Sequence, residues 1–286
     1  MSAAEALLGR IVDYAGLFPP AALDMESAVR NYQQHMNSVE SWMLRSFVVP
    51  AGRLAEFAAP FEAVCCGEQE APWTLSVICA AEEDGQAIEA FHEGAVFIGS
   101  LEAKAADARA AKELLERLPA ARARYVEFPL EKTAEVLPAL AQLQARAKIR
   151  MGGVTAETIP SVETVAHFLA NCARHKVAWK ATAGLHHAVR GVRELTPGGV
   201  RVKMHGFVNL FLAGALAFYG ADETTLVNTL SEEDAAAFTL DDDVIRWHDN
   251  VLITDQIEQV RSEFAIGFGS CSFEEPIEDL KAMGWL

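Results

Sequence analysis

VAWKATAG, residues 177–184, is a short run of small, β-branched and aromatic residues closed by glycine, with a lysine in its middle. In a strand, successive side chains point to opposite faces. Val177, Trp179 and Ala181 then share a face suited to cover by helices, and Lys180 and Thr182 share the other. The chain continues into LHHAVRG, so this strand ends at a loop carrying two adjacent histidines.

Outward from this run the same kind of segment recurs. Apolar runs at 11–18, 46–50, 73–80, 95–100, 124–130, 148–153, 177–184 and 264–270 alternate with stretches of helical period. Met25, Val29, Tyr32 and Met36 follow helical spacing, as do Val162, Val165, Leu169 and Cys172 behind a capping Ser161. The Ala- and Glu-rich segments 101–118 and 133–147 are expected as helices too. Eight β/α units in 286 residues predict an α/β fold of the (β/α)8 TIM-barrel type, spanning 1–286 as one domain, with an open doubly wound sheet as the alternative. Extra helices are expected between strands seven and eight, at 205–220, 222–230 and 252–263. LTPGGV, 195–200, is expected as a long loop after strand seven.

Facing arguments select the interior residues. RYVEFPL turns Tyr125 and Glu127 inward, KIRMGG turns Arg150 and Gly152 inward, and strand seven adds Lys180 and Thr182. Glu127, Arg150 and Lys180 thereby collect at the C-terminal ends of three consecutive strands, where TIM-barrel active sites are built. The fixed charge of Arg150 beside Lys180 is expected to favour a neutral, nucleophilic amine, with Glu127 as its proton-transfer partner and Arg150 as an anchor for substrate. The alternative is a structural network, because buried charges must be paired wherever they occur.

The loops supply further candidates. His186 follows strand seven and His205 opens HGFVNLF; either suits acid/base work, and of His186 and His187 only one is expected to reach the site. His35, His92, His167, His175 and His248 are read as structural or solvated. Gly184 and Ser270 flank loops that bind phosphate in many TIM barrels, and Asp13 and Asn209 complete the substrate-binding candidates with Thr182. No cofactor is expected; the alternative is a divalent metal held by Glu127, His186 and His205, although no standard metal-binding spacing is present.

Composition narrows the partners. Acidic residues outnumber basic ones by 40 to 24, a net charge of −16, which disfavours nucleic acid and anionic membrane surfaces. The longest uncharged run, 206–221, is short for a membrane span. MSAAEALLGRIVDYAG lacks the pattern of a secretory signal, and five cysteines, including the adjacent Cys65 and Cys66 but no CxxC, fit reduced thiols; the expected location is cytoplasmic. Cys271 is read as an inert thiol rather than a nucleophile.

KATAGLHH (180–187), HGFVNLF (205–211), FGSCSFEEP (268–276) and DYAGLFPPA (13–21) resemble motifs of a family of uncharacterised bacterial proteins of TIM-barrel-like build. That resemblance implies architecture and carries no reaction. The lysine and glycines are also similar in style to class I aldolases. The expectation is an enzyme acting on a small carboxylated or phosphorylated metabolite, by proton transfer or carbon–carbon lyase chemistry at a carbonyl. A metal-dependent hydrolase or isomerase and a non-catalytic binding barrel are the alternatives, and homo-oligomer formation is left open.

Overall fold

The computed structural model describes residues 1–64, 72–80, 83–91, 94–119, 123–196 and 198–286. Cys65, Cys66, His92 and Pro197 lie outside the described residues. A closed, all-parallel barrel is built from β1 (Val12–Tyr14), β2 (Leu44–Pro50), β3 (Trp73–Cys79), β4 (Val96–Lys104), β5 (Ala123–Glu127), β6 (Arg146–Arg150), β7 (Trp179–Thr182) and, after an excursion, β13 (Ala265–Ser270). The strands close in the order β1, β13, β7, β6, β5, β4, β3, β2, and helices separate them along the chain. This is a TIM barrel.

The excursion carries the other strands. β8 (Gly191–Glu194) and β9 (Arg201–Met204) form an antiparallel hairpin, so the described residues of LTPGGV, 195–196 and 198–200, lie at its tip rather than in a free loop. The helices Phe207–Phe218 and Glu223–Ser231 follow as expected. A small antiparallel sheet, β10 (Phe238–Leu240), β11 (Val244–Trp247) and β12 (Asn250–Ile253), then precedes the helix Thr254–Glu263. That sheet was not signalled, because its strands are short and DDD at 241–243 separates them.

β4 differs most from expectation. The alanines and glutamates of 101–118 predict a helix, yet residues 101–104 extend β4, and the helix begins only at Ala108, with Asp107 accepting from Ala110 N. Pairing on both sides decides it: Glu102 lies opposite Ile78 in β3 and opposite Tyr125 in β5. Tertiary pairing overrides a weak local preference.

The outward faces of the strands meet the helices. Trp179 packs on Phe211 and Phe264, and a Cβ on Gly214 would come within 2.6 Å of its ring. Phe207 stacks on Phe268 at 5.1 Å. Burial of each such phenylalanine contributes roughly 1.5–3 kcal/mol. The helix Phe207–Phe218 is buried almost all round, which accounts for its uncharged sequence. Among the described residues no helix is long and apolar enough to cross a membrane.

Candidate active site

Polar residues on the inward faces of the barrel strands converge in its interior. Lys148 and Lys180 lie opposite one another on the adjacent strands β6 and β7, at the same level. Both are buried, at 5% and 1% exposure, and both reach the carboxylate of Glu102, itself 2% exposed. Lys148 Nζ lies 2.8 Å from Glu102 Oε2, and Lys180 Nζ donates to Oε1 of the same group. One carboxylate therefore bridges two amines.

Each amine has a second carboxylate. Lys180 Nζ lies 2.6 Å from Asp13 Oδ2, and Lys148 Nζ lies 3.3 Å from Glu127 Oε2. Asp13 is held from below by Arg45, whose guanidinium donates to both of its oxygens, and by the Ser46 hydroxyl. Ser76 donates to Glu102 and lies 2.6 Å from the hydroxyl of Ser100. Above, Arg150 Nε donates to Glu127 Oε1 at 2.8 Å. Tyr125 sits beneath the lysines, its ring 5.1 Å from Lys180 Nζ.

The electrostatics follow from this packing. Burial alone would push Asp13, Glu102 and Glu127 upward, yet all three are held below the ordinary carboxylate range. Arg45 and Lys180 outweigh burial at Asp13, Lys148 and Lys180 at Glu102, and Lys148 and Arg150 at Glu127. Burial likewise opposes the charge on Lys148, but Glu102 and Glu127 prevail and hold it as an ammonium. The cluster sets three carboxylates, Asp13, Glu102 and Glu127, against five cations, Arg45, Lys104, Lys148, Arg150 and Lys180. The surplus positive charge favours an anionic group nearby.

A cavity of about 590 Å³ opens above the lysines at the C-terminal end of the strands. Glu102, Lys148 and Lys180 form its floor, and Arg150, Thr182 and His186 contribute to its walls. Ala183 and Gly184 turn the chain at its rim with φ of +59° and +70°. At Gly184 a side chain would be strained by conformation, and its Cβ would meet Gly152 Cα at 2.9 Å. Those two glycines let β6 and β7 stay in contact as they leave the sheet.

The residues singled out from the sequence are distributed unevenly. Lys180, Arg150, Thr182, Gly184 and His186 line the cavity, whereas His187 does not. Glu127 lines an adjoining depression that shares Arg150 with it. Arg150 is held by Glu127 rather than placed against Lys180, so the expected electrostatic reason for a neutral Lys180 is absent. Asp13 lies below the cavity, and Ser270 is buried outside its lining, accepting from Ser272 N.

His205 and Asn209 leave the site altogether. His205 Nε2 pairs with the Pro160 carbonyl at 2.8 Å, and burial, reinforced by Arg190, lowers its imidazole to about 4, so it stays neutral. Asn209 donates to the carbonyls of Thr229 and Glu232 and accepts from Arg190 N, tying the helix to its neighbours. His186 is paired with Glu275 at 2.7 Å. The proposed metal set of Glu127, His186 and His205 is therefore not assembled, and among the described residues no group of three or more His, Cys, Asp or Glu side chains is arranged to hold a metal. Cys271 lines the cavity, but burial pushes its thiol upward, as expected of an inert group.

Lys148, Lys104, Glu102, Arg45, Ser46, Ser76 and Ser100 also belong to the cluster and went unselected. The signal for Lys148 was present, since it stands two residues before Arg150 and so shares its face. Arg45 lay just outside the expected strand 46–50, and Glu102 within the expected helix.

No protein-family model matches the chain, and no curated protein does. Among solved structures, the chain is similar to a tetrameric deoxyribose phosphate aldolase from Aeropyrum pernix, at 14% identity and a TM-score of 0.44, covering 65% of this chain and 80% of that one. A likeness of that extent carries no inference, and the barrel stands on its own strand pairing.

Proposed function

We propose that the barrel is an amine-dependent enzyme that forms an iminium between Lys180 and the carbonyl of a small anionic substrate, and uses it for proton transfer or carbon–carbon bond cleavage. The observation that carries this reading is the buried pair Lys148 and Lys180 bridged by Glu102 on the floor of the cavity. An amine needs a proton acceptor before it attacks, and a proton donor after it, to expel the carbonyl oxygen as water. Glu102 and Lys148 suit those two tasks at hydrogen-bond reach.

In this reading Lys180 Nζ passes a proton to Glu102 and bonds to the carbonyl carbon. Lys148, held as an ammonium, polarises the carbonyl oxygen and relays to it the second proton shed by the attacking nitrogen, and Glu102 returns the first, so that the oxygen leaves as water. The iminium nitrogen then accepts the electron pair released when an adjacent C–H or C–C bond breaks. Glu127 takes the departing proton, either from the α-carbon or from a β-hydroxyl. Its Oε2 is buried, lies 3.3 Å from Lys148 Nζ and makes no hydrogen bond, which leaves an acceptor facing the amines. Arg150, 40% exposed at the rim, holds the substrate's carboxylate or phosphate as a bidentate partner.

The test is hydrogen exchange. Wild type incubated in D2O with a panel of short keto acids, aldehydes and sugar phosphates should exchange α-protons of at least one of them, read by NMR. Lys180→Arg, which keeps the charge and removes the nucleophile, should not. Equal exchange in wild type and Lys180→Arg contradicts the assignment. Saturable ligand stabilisation with no exchange and no cleavage of any panel member supports a binding barrel instead.

A further inference from the structure

We propose that the opposite, N-terminal mouth of the barrel is a second binding site, built by Arg10, Arg45 and Arg146 for the phosphate group of a small metabolite. A separate cavity of about 590 Å³ opens there, with Pro72, Thr74 and Phe97 among its other lining residues. It shares no lining residue with the cavity above the lysines. Between the two lies the layer of Asp13, Tyr125 and Lys180, packed by the Asp13–Lys180 ion pair and by the Tyr125 ring under Lys180 Nζ.

Charge argues for an anion here. Arg45 is the only one of the three with a carboxylate partner among the described residues, and that partner, Asp13, also serves Lys180. Arg146 Nη1 donates to the Tyr125 hydroxyl at 3.0 Å and its guanidinium lies 5.6 Å from the Tyr125 ring centroid. Arg10 is exposed and, among the described residues, its side chain reaches only the Arg45 carbonyl, at 3.4 Å. A guanidinium keeps its proton, so this surplus positive charge cannot be relieved by titration as a lysine's can. In a chain of net charge −16, such a cluster is a local exception rather than part of a basic surface. Guanidinium forks match the oxygens of a phosphate group in pairs, and the exposed Phe97 with Pro72 adds an apolar wall for the organic part of a phosphate monoester. The site stands independently of the iminium chemistry, because none of these arginines touches the upper cavity.

The experiment is titration calorimetry of the full chain with inorganic phosphate and with glycerol 3-phosphate, at constant ionic strength balanced by chloride. Both should bind saturably, with a component weakened about tenfold or more in Arg146→Gln, the loss of one or more charge-assisted hydrogen bonds. That component should persist within about twofold in Arg150→Gln, which alters only the upper mouth. Tighter binding of the monoester points to a phosphorylated metabolite as the natural ligand, and equal binding points to the free anion. Absence of saturable binding overturns the proposal, as does binding lost in Arg150→Gln but kept in Arg146→Gln. If Arg146→Gln does not fold, Arg10→Gln, on the exposed turn before β1, gives the same readout.

Discussion

The two mouths of this barrel hold cations of different kinds in different company. At the upper mouth, two lysines and Arg150 are interleaved with Glu102, Glu127 and Asp13, and each amine touches two carboxylates. At the lower mouth, Arg45 alone of three arginines has a carboxylate, Asp13, among the described residues. A lysine can exchange a proton with a carboxylate it touches and an arginine keeps its own, so the upper end suits proton transfer and the lower end suits holding a fixed anion. Asp13 belongs to both, accepting from Arg45 below and Lys180 above. The same strands thus present two chemistries, separated by about one layer of side chains.

If Asp13 joins the two ends, its removal should cost most. Asp13→Asn leaves Arg45 and Lys180 buried with one fewer charge between them, and a loss of roughly 3–5 kcal/mol is expected from urea denaturation. A change under 1 kcal/mol would show that the ends are independent.

Acid should expose the upper network next. Asp13, Glu102 and Glu127 are all held below their ordinary range, so as pH falls the unfolded chain takes up protons before the folded one. Their contribution is complete above about pH 4 and is lost as pH falls through the folded values. His205 acts in a higher window. Its imidazole is lowered from 6.5 to about 4, so the stability it lends is full above pH 6.5 and disappears as pH falls toward 4. That loss amounts to about 3 kcal/mol. Denaturation midpoints measured from pH 7 to pH 4 should fall in wild type and flatten in His205→Asn. An equal fall in both would place the titration elsewhere.

A smaller change is expected at Asn209, whose amide serves two carbonyls in the interior. Asn209→Ala should cost about 1–3 kcal/mol, with borohydride trapping of Lys180 unaffected. Loss of trapping would return Asn209 to the site. The smallest change is expected at the lower mouth. Arg146→Gln relieves crowding of like charge while removing one hydrogen bond, so stability in phosphate-free buffer should change by less than about 1 kcal/mol. A loss above 3 kcal/mol would make Arg146 a structural member of the network and erase the contrast between the mouths.

Much of this arrangement was legible in the chain, and the part that was not has a common cause. Strand alternation placed Tyr125, Glu127, Arg150, Lys180 and Thr182 on the interior correctly, because a period of two fixes the face once any residue of a strand is assigned. It failed where a strand's end was misplaced. Glu102 was hidden because SLEAKAADARAAKE has helical composition, and only pairing with β3 and β5 extends the strand through it. Arg45 was hidden by one residue at the start of β2. In the sequence, His205 opens a helix expected to cap the barrel top, and Asn209 follows on that helix. Their burial against Pro160, Thr229 and Glu232 depends on contacts that periodicity does not encode.

The most direct test of the account is borohydride reduction of the protein with the carbonyl compounds that exchange their α-protons, followed by peptide mapping of the adduct. The expected result is a stable secondary amine on Lys180 in wild type, absent from Lys180→Arg, with no adduct on the surface lysines Lys112 or Lys132. Adduct confined to Lys148, or spread over surface lysines with Lys180 unmodified, would contradict the assignment of Lys180 as the nucleophile.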